Sequence, residues 1–123
     1  MKAREVVAIL SLVLVVSCMT PGERRSDLPV ISTSSAKSAR DVAGCITDHW
    51  ENTKSAWWLS NPVITSSVKP HGFSVMGTLQ GNGTSNAAVL ADVTENDPGS
   101  VTRYYRWSAG GLDDYDDVVR ACQ

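Results

Sequence analysis

Two cysteines, Cys45 and Cys122, bracket most of the β-forming sequence and constrain the fold more than any other feature. A bond between them would hold the start and the end of one domain together. It would close a long loop, and lost loop-closure entropy in the unfolded chain then stabilises the fold by ~4–5 kcal/mol, less any strain. The bond needs an oxidising compartment and a third cysteine, Cys18, engaged elsewhere. Two free buried thiols, or a metal site, are the competing readings. Cys45 and His49 stand four residues apart and would share a helix face, but zinc takes four ligands or three plus water. Cys122 and His71 would have to converge on them, so the expectation is a disulfide, with no metal and no other cofactor.

The compartment is read from the N-terminus. Lys2 and Arg4 precede an apolar run, Val6–Val16, broken only by Ser11. This run is about half of the ~20 residues needed to cross a bilayer, and it has the charge order of a secretory signal. Its end, Val15-Val16-Ser17-Cys18, resembles a lipobox, with an aliphatic residue three before the cysteine and a small residue just before it. The resemblance implies that residues 1–17 are a signal peptide and that Cys18 is lipidated. Several acyl chains anchor stably, since each buried methylene contributes ~0.8 kcal/mol. Met19 stands where aspartate would favour inner-membrane retention, so the expected location is the cell envelope, lipid-anchored in the outer membrane and facing the periplasm.

Removal of residues 1–17 leaves nine basic and twelve acidic groups, a net charge of −3. This is no footprint for nucleic acid, which demands a basic face, and no polybasic run marks an anionic-lipid site. Residues 18–34 hold Pro21, Gly22, Pro29 and a serine-rich end with no periodicity, so they are read as a lipidated tether. Residues 35–123 make one small domain.

Within that domain Ser35 to about Lys54 reads as a helix capped by Ser35 or Ser38, with Ala39, Val42, Ala43, Ile46 and Trp50 on one stripe. Gly44 is a weak point in it. Strands are expected at Val63–Val68, Phe73–Leu79, Ala87–Thr94 and Val101–Trp107, parted by Lys69-Pro70-His71-Gly72, Gly81–Asn86 and Glu95–Ser100. Alternation puts Val89, Ala91 and Val93 on one face, and Thr102, Tyr104 and Arg106 together on one side of the last strand. Leu112 to Ala121 reads as a second helix. Its crowd of Asp113, Asp114, Asp116 and Asp117 suits the positive end of the helix dipole and lacks the ligand spacing of a calcium loop. The expected fold is α+β: an antiparallel sheet of three to four strands, with both helices on one face and joined by the disulfide.

The elements Ser35-Ala36-Lys37-Ser38, Val42-Ala43-x-Cys45-Ile46, Trp50, Phe73-Ser74-Val75, Ala91-Asp92-Val93, Gly99-Ser100, Tyr104-Tyr105 and Ala121-Cys122 together resemble a group of small, uncharacterised proteobacterial lipoproteins. The resemblance implies a two-cysteine α+β domain. It brings no activity and no site residues.

Chemistry is sparse. Only His49 and His71 offer imidazole bases, and neither sits in a nucleophile setting. The chain is therefore read as a binding module and not an enzyme. Four tryptophans are many for so small a domain. Trp50 and Trp107 suit the core, while Trp57 and Trp58 fall in a connection. Trp57, Trp58, Tyr104 and Arg106 are the candidate contacts, because exposed aromatics and arginines dominate binding surfaces. Arg103 and Arg106 are alternatively cross-strand partners of Asp92 or Glu95. The expected partner is an envelope protein or peptidoglycan. Two other functions compete: an inhibitor or exclusion lipoprotein acting against a hydrolase, toxin or phage, and a small cell-wall hydrolase.

Overall fold

The computed structural model describes residues 20–55, 61–81, 84–108 and 110–123. Their order is α1 (Pro21–Ser26), β1 (Ile31–Ser35), α2 (Ala39–Glu51), β2 (Val63–Lys69), β3 (Gly72–Gly81), β4 (Thr84–Asn96), β5 (Gly99–Arg106) and α3 (Asp113–Ala121). The strands form one antiparallel sheet in the order β1-β5-β4-β3-β2. The α+β class holds. The sheet has five strands where three to four were expected, and a third helix is present.

Both additions come from residues assigned above to the tether, except Ser35, which was read as the head of the first helix and instead ends β1. Ile31 to Ser35 pair along β5, from Ile31 opposite Tyr104 to Ser35 opposite Ser100. Their polar, short-chained sequence suits an edge strand: Ile31, Thr33 and Ser35 are half-buried while Ser32 and Ser34 face solvent. The helix α1 starts where the Thr20 hydroxyl accepts the Glu23 amide at 3.2 Å. Residues 20–34 thus belong to the domain, and Cys18 lies outside the described residues.

The helix α2 forms as its stripe dictates. The Ser38 hydroxyl caps it by accepting the Asp41 amide at 3.1 Å, and Ala39, Val42, Ala43, Ile46 and Trp50 are buried. They pack with Val75, Val89, Ala91, Val93 and Tyr104 from the sheet and Tyr115 and Val119 from α3. The two longer helices therefore share one sheet face. Cys45 of α2 is bonded to Cys122, the C-cap of α3, across 77 residues.

Strand alternation is interrupted once. Gly77 pairs with Val89 and Thr78 with Ala87, so Ala88 is an extra residue in β4. The bulge explains why Ala87, Ala88 and Val89 are all buried. Gly77 has no room for a side chain, because a Cβ there would come within 2.5 Å of Val89 Cγ2.

Gly44 has the opposite character. It is exposed in mid-helix, and a Cβ would meet nothing within 4 Å. Gly44→Ala is expected to stabilise the domain by about 1 kcal/mol through helix propensity alone, read as a raised urea midpoint with unchanged slope. A lowered midpoint would mean that Gly44 has a packing role.

Candidate functional site

The second face of the sheet carries the candidate site. Among the described residues only α1 crosses it, and α1 is short, six residues, so they leave part of the face open. Two arginines of α1 hold the helix down. Arg24, buried, donates from Nε to the Ala87 carbonyl at 2.8 Å and from Nη2 to Asn86 Oδ1 at 3.3 Å. Burial pulls its pKa down, partly offset by Asp27. Arg25 grips Asp92 with two bonds, Nε to Oδ2 at 2.7 Å and Nη2 to Oδ1 at 3.0 Å.

Beside this clamp lies a groove of about 500 Å³. Arg25, Ser74, Asp92, Arg103 and Tyr105 line it together with the Lys69–Phe73 turn that carries His71. Tyr105 is 8% exposed. Gly72 keeps this turn tight against β4, since a Cβ there would collide with the Val93 carbonyl.

The electrostatics of the groove turn on Asp92. Burial alone would push its carboxyl up, but hydrogen bonds from Arg25 and Ser74, with the charges of Arg25 and Lys69, outweigh that and hold it below the usual aspartate value. Ser74 adds its own bond to Oδ1 at 2.6 Å, so both carboxylate oxygens are engaged. The hydrogen bond to Asp92 in turn raises the pKa of Arg25, against a smaller effect of burial. Arg103 stands opposite Asp92 in the ladder. Arg25 nonetheless takes the carboxylate, and neither Arg103 nor Lys69 makes an ion pair within 4 Å among the described residues. Two cations are left over on the groove's rim, on a chain of net negative charge.

A depressed folded pKa contributes stability that is full above the unfolded value and disappears as pH falls through the folded one. Asp92→Asn is therefore expected to cost about 1 kcal/mol at neutral pH, allowing for solvent screening of a half-exposed pair. The difference from wild type should shrink below the ordinary aspartate pKa of about 4 and vanish at lower pH. Parallel urea titrations across that range test it, and a difference independent of pH would refute the role of the charge.

The contact residues named from sequence are scattered. Trp57 and Trp58 lie outside the described residues. Tyr104 is fully buried on the helix-facing side, where its hydroxyl donates to Asp116 Oδ1 at 2.7 Å, so it is a core residue and not a contact. Arg106 is half-buried, with Nε 3.0 Å from Asp116 Oδ2. Neither faces the groove. The cluster Arg25, Lys69, His71 and Arg103 was missed, because it is assembled from three separate segments: α1, the turn between β2 and β3, and β5.

The two histidines lie in different settings. His49 Nδ1 lies 2.8 Å from the Cys45 carbonyl, which makes that nitrogen the proton carrier. His71 is exposed on the groove turn. No serine hydroxyl bonds to either ring among the described residues. Ligand atoms of Cys45, His49 and Cys122 do gather within 4.8 Å of one another, but the two sulfurs are bonded to each other, so no thiolate is available to a metal.

No family model and no solved structure matches the chain. It is similar to Protein DETOXIFICATION 29 of Arabidopsis thaliana, 30% identical over 78 residues, which is 63% of this chain and 16% of that protein. The chain thus spans less than a fifth of the length of the curated protein it matches. No helix among the described residues is long and apolar enough to cross a membrane.

Proposed function

We propose that this chain is a lipid-anchored envelope protein that binds and does not catalyse, with the second-face groove as its recognition surface. One observation carries the reading: both oxygens of Asp92 are taken by Arg25 and Ser74, so Lys69 and Arg103 stand beside an open concavity without an ion pair of their own among the described residues. Such an arrangement attracts an acidic partner and steers its approach. The anchor rests on the sequence Val15-Val16-Ser17-Cys18 and the charged, apolar stretch before it.

Crosslinked capture from cell envelopes tests the reading, with the full chain compared against Lys69→Glu/Arg103→Glu. Both residues are at the surface or rim of the groove, so charge reversal should leave the fold intact. The expected result is a species captured by the wild type, weakened by added salt and lost from the reversed variant. Equal capture by both chains would remove the groove from the function. The mass of the Cys18-containing peptide tests the anchor separately, since acylation adds a defined mass.

A further inference from the structure

We propose that the groove takes the anionic phosphate headgroup of a lipid in the membrane that carries the anchor. This inference rests on the anchored-binding reading above and names the partner of the same surface. Two independent observations lead to it: the leftover charge in the groove and the length of chain between groove and anchor.

The charge comes first. Lys69 and Arg103 rim the groove without an ion partner among the described residues, and His71 stands on the same turn as Lys69. Arginine presents a planar fork that fits a phosphate, and lysine adds a mobile point charge. The one carboxylate present, Asp92, has both oxygens occupied by Arg25 and Ser74. It therefore repels an incoming anion less than a free aspartate would.

The length of the connection then selects the source of the phosphate. The helix α1 starts at Pro21, directly after its cap Thr20. Two chain steps, through Met19, lead from Cys18 to Thr20, a reach of at most ~7 Å. Five helical steps carry the chain on to Arg25, about 7.5 Å more. A lipidated Cys18 would thus have its Cα within ~15 Å of that of Arg25, a groove residue. A domain held so close has its second face beside the bilayer, while α2 and α3 cover the other face. Leu28, which follows α1, is 91% exposed. An exposed apolar side chain just past α1 suits the interfacial region of a membrane.

The test uses the lipidated chain as purified from membranes, reconstituted in two kinds of vesicle: phosphatidylcholine alone, or phosphatidylcholine with a minor fraction of phosphatidylglycerol. The readout is the rate at which an amine-reactive reagent acetylates Lys69, with the exposed Lys54 beyond α2 as internal control. Headgroup contact should slow Lys69 about fivefold in the anionic vesicles relative to the neutral ones and leave Lys54 unchanged. Arg103→Gln should remove most of that slowing, because Lys69 alone holds the anion weakly. Equal rates in the two vesicles would overturn the proposal, as would equal slowing of Lys69 and Lys54. Inorganic phosphate at millimolar concentration, added to the neutral vesicles, separates the two sources of the anion. Slowing by free phosphate equal to that by phosphatidylglycerol would overturn the headgroup assignment in favour of a soluble anion. An unmodified Cys18 in the same sample marks failure of the anchored reading, distinguishable from failure of the groove to bind.

Discussion

Removing the Cys45–Cys122 bond is expected to destabilise the domain by about 4–5 kcal/mol, the loop-closure entropy of a cross-link that spans 77 residues. The magnitude matters because a domain of this size has only about 5–15 kcal/mol in total. The bond joins the middle of α2 to the end of α3, the two helices that cover one sheet face. Without it α3, nine residues long, is held by Tyr115, Val119 and its neighbours alone. Short helices of that length are marginal without packing. The double variant Cys45→Ala/Cys122→Ala avoids free thiols and isolates the covalent effect. Urea unfolding should show a midpoint lowered by most of the wild-type stability. A change under about 1 kcal/mol would mean that the unfolded chain already keeps the two helices together.

How far the sequence revealed this architecture depends on whether a signal was local. The helix α2 was legible because its cap and its stripe of Ala39, Val42, Ala43, Ile46 and Trp50 are both local patterns, and all five residues are buried. The strands β2 to β5 were legible because Pro70-His71-Gly72 and Asp97-Pro98-Gly99 punctuate them. Strand β1 was not. Ile31-Ser-Thr-Ser-Ser carries one large apolar residue, and its stability comes from hydrogen bonds to β5, some seventy residues later in the chain. The bulge at Ala88 was likewise hidden, because a run of Ala87-Ala88-Val89 reads equally well with or without an extra residue.

The site shows the same division. Strand parity had already set Tyr104 and Arg106 beside Thr102, and the companion parity of Val89, Ala91 and Val93 marks that face as the apolar one. Tyr104 could therefore have been assigned to the core from sequence. The groove could not have been. Asp92 faces Arg103 across the ladder, the pair expected from cross-strand rules, yet its carboxylate is taken by Arg25 from the segment read as a tether. That one exchange of partners frees Arg103 and creates the surplus charge. Nothing local to residue 25, 69 or 103 signals it.

Asp116→Ala is expected to cost about 2–3 kcal/mol, less than removal of one partner from a fully buried pair because Arg106 keeps some solvent, but enough to strand a buried hydroxyl. Asp116 is 6% exposed. Its Oδ1 accepts from the Tyr104 hydroxyl at 2.7 Å, and Arg106 Nε lies 2.9 Å from Oδ1 and 3.0 Å from Oδ2. Burial first, and then the hydrogen bond to Asp116, pushes the Tyr104 pKa far above the ordinary tyrosine range, so this hydroxyl stays a donor at any physiological pH. Deleting the carboxylate strands that donor and leaves a half-buried guanidinium without its counter-charge. The loss also reaches the aromatic core, since the Trp50 ring lies against Tyr104 at 5.9 Å and Tyr115 at 6.0 Å, and its indole nitrogen donates to the Tyr115 carbonyl. Tyr104→Phe alone is expected to cost about 1 kcal/mol, the net value of one hydrogen bond. In Tyr104→Phe/Asp116→Ala the stranded donor is absent, so the double variant should be more stable than the sum of the singles implies. Urea unfolding of the four proteins closes the cycle. Strict additivity would show that Asp116 acts through Arg106 alone, and that the buried hydroxyl is satisfied without it.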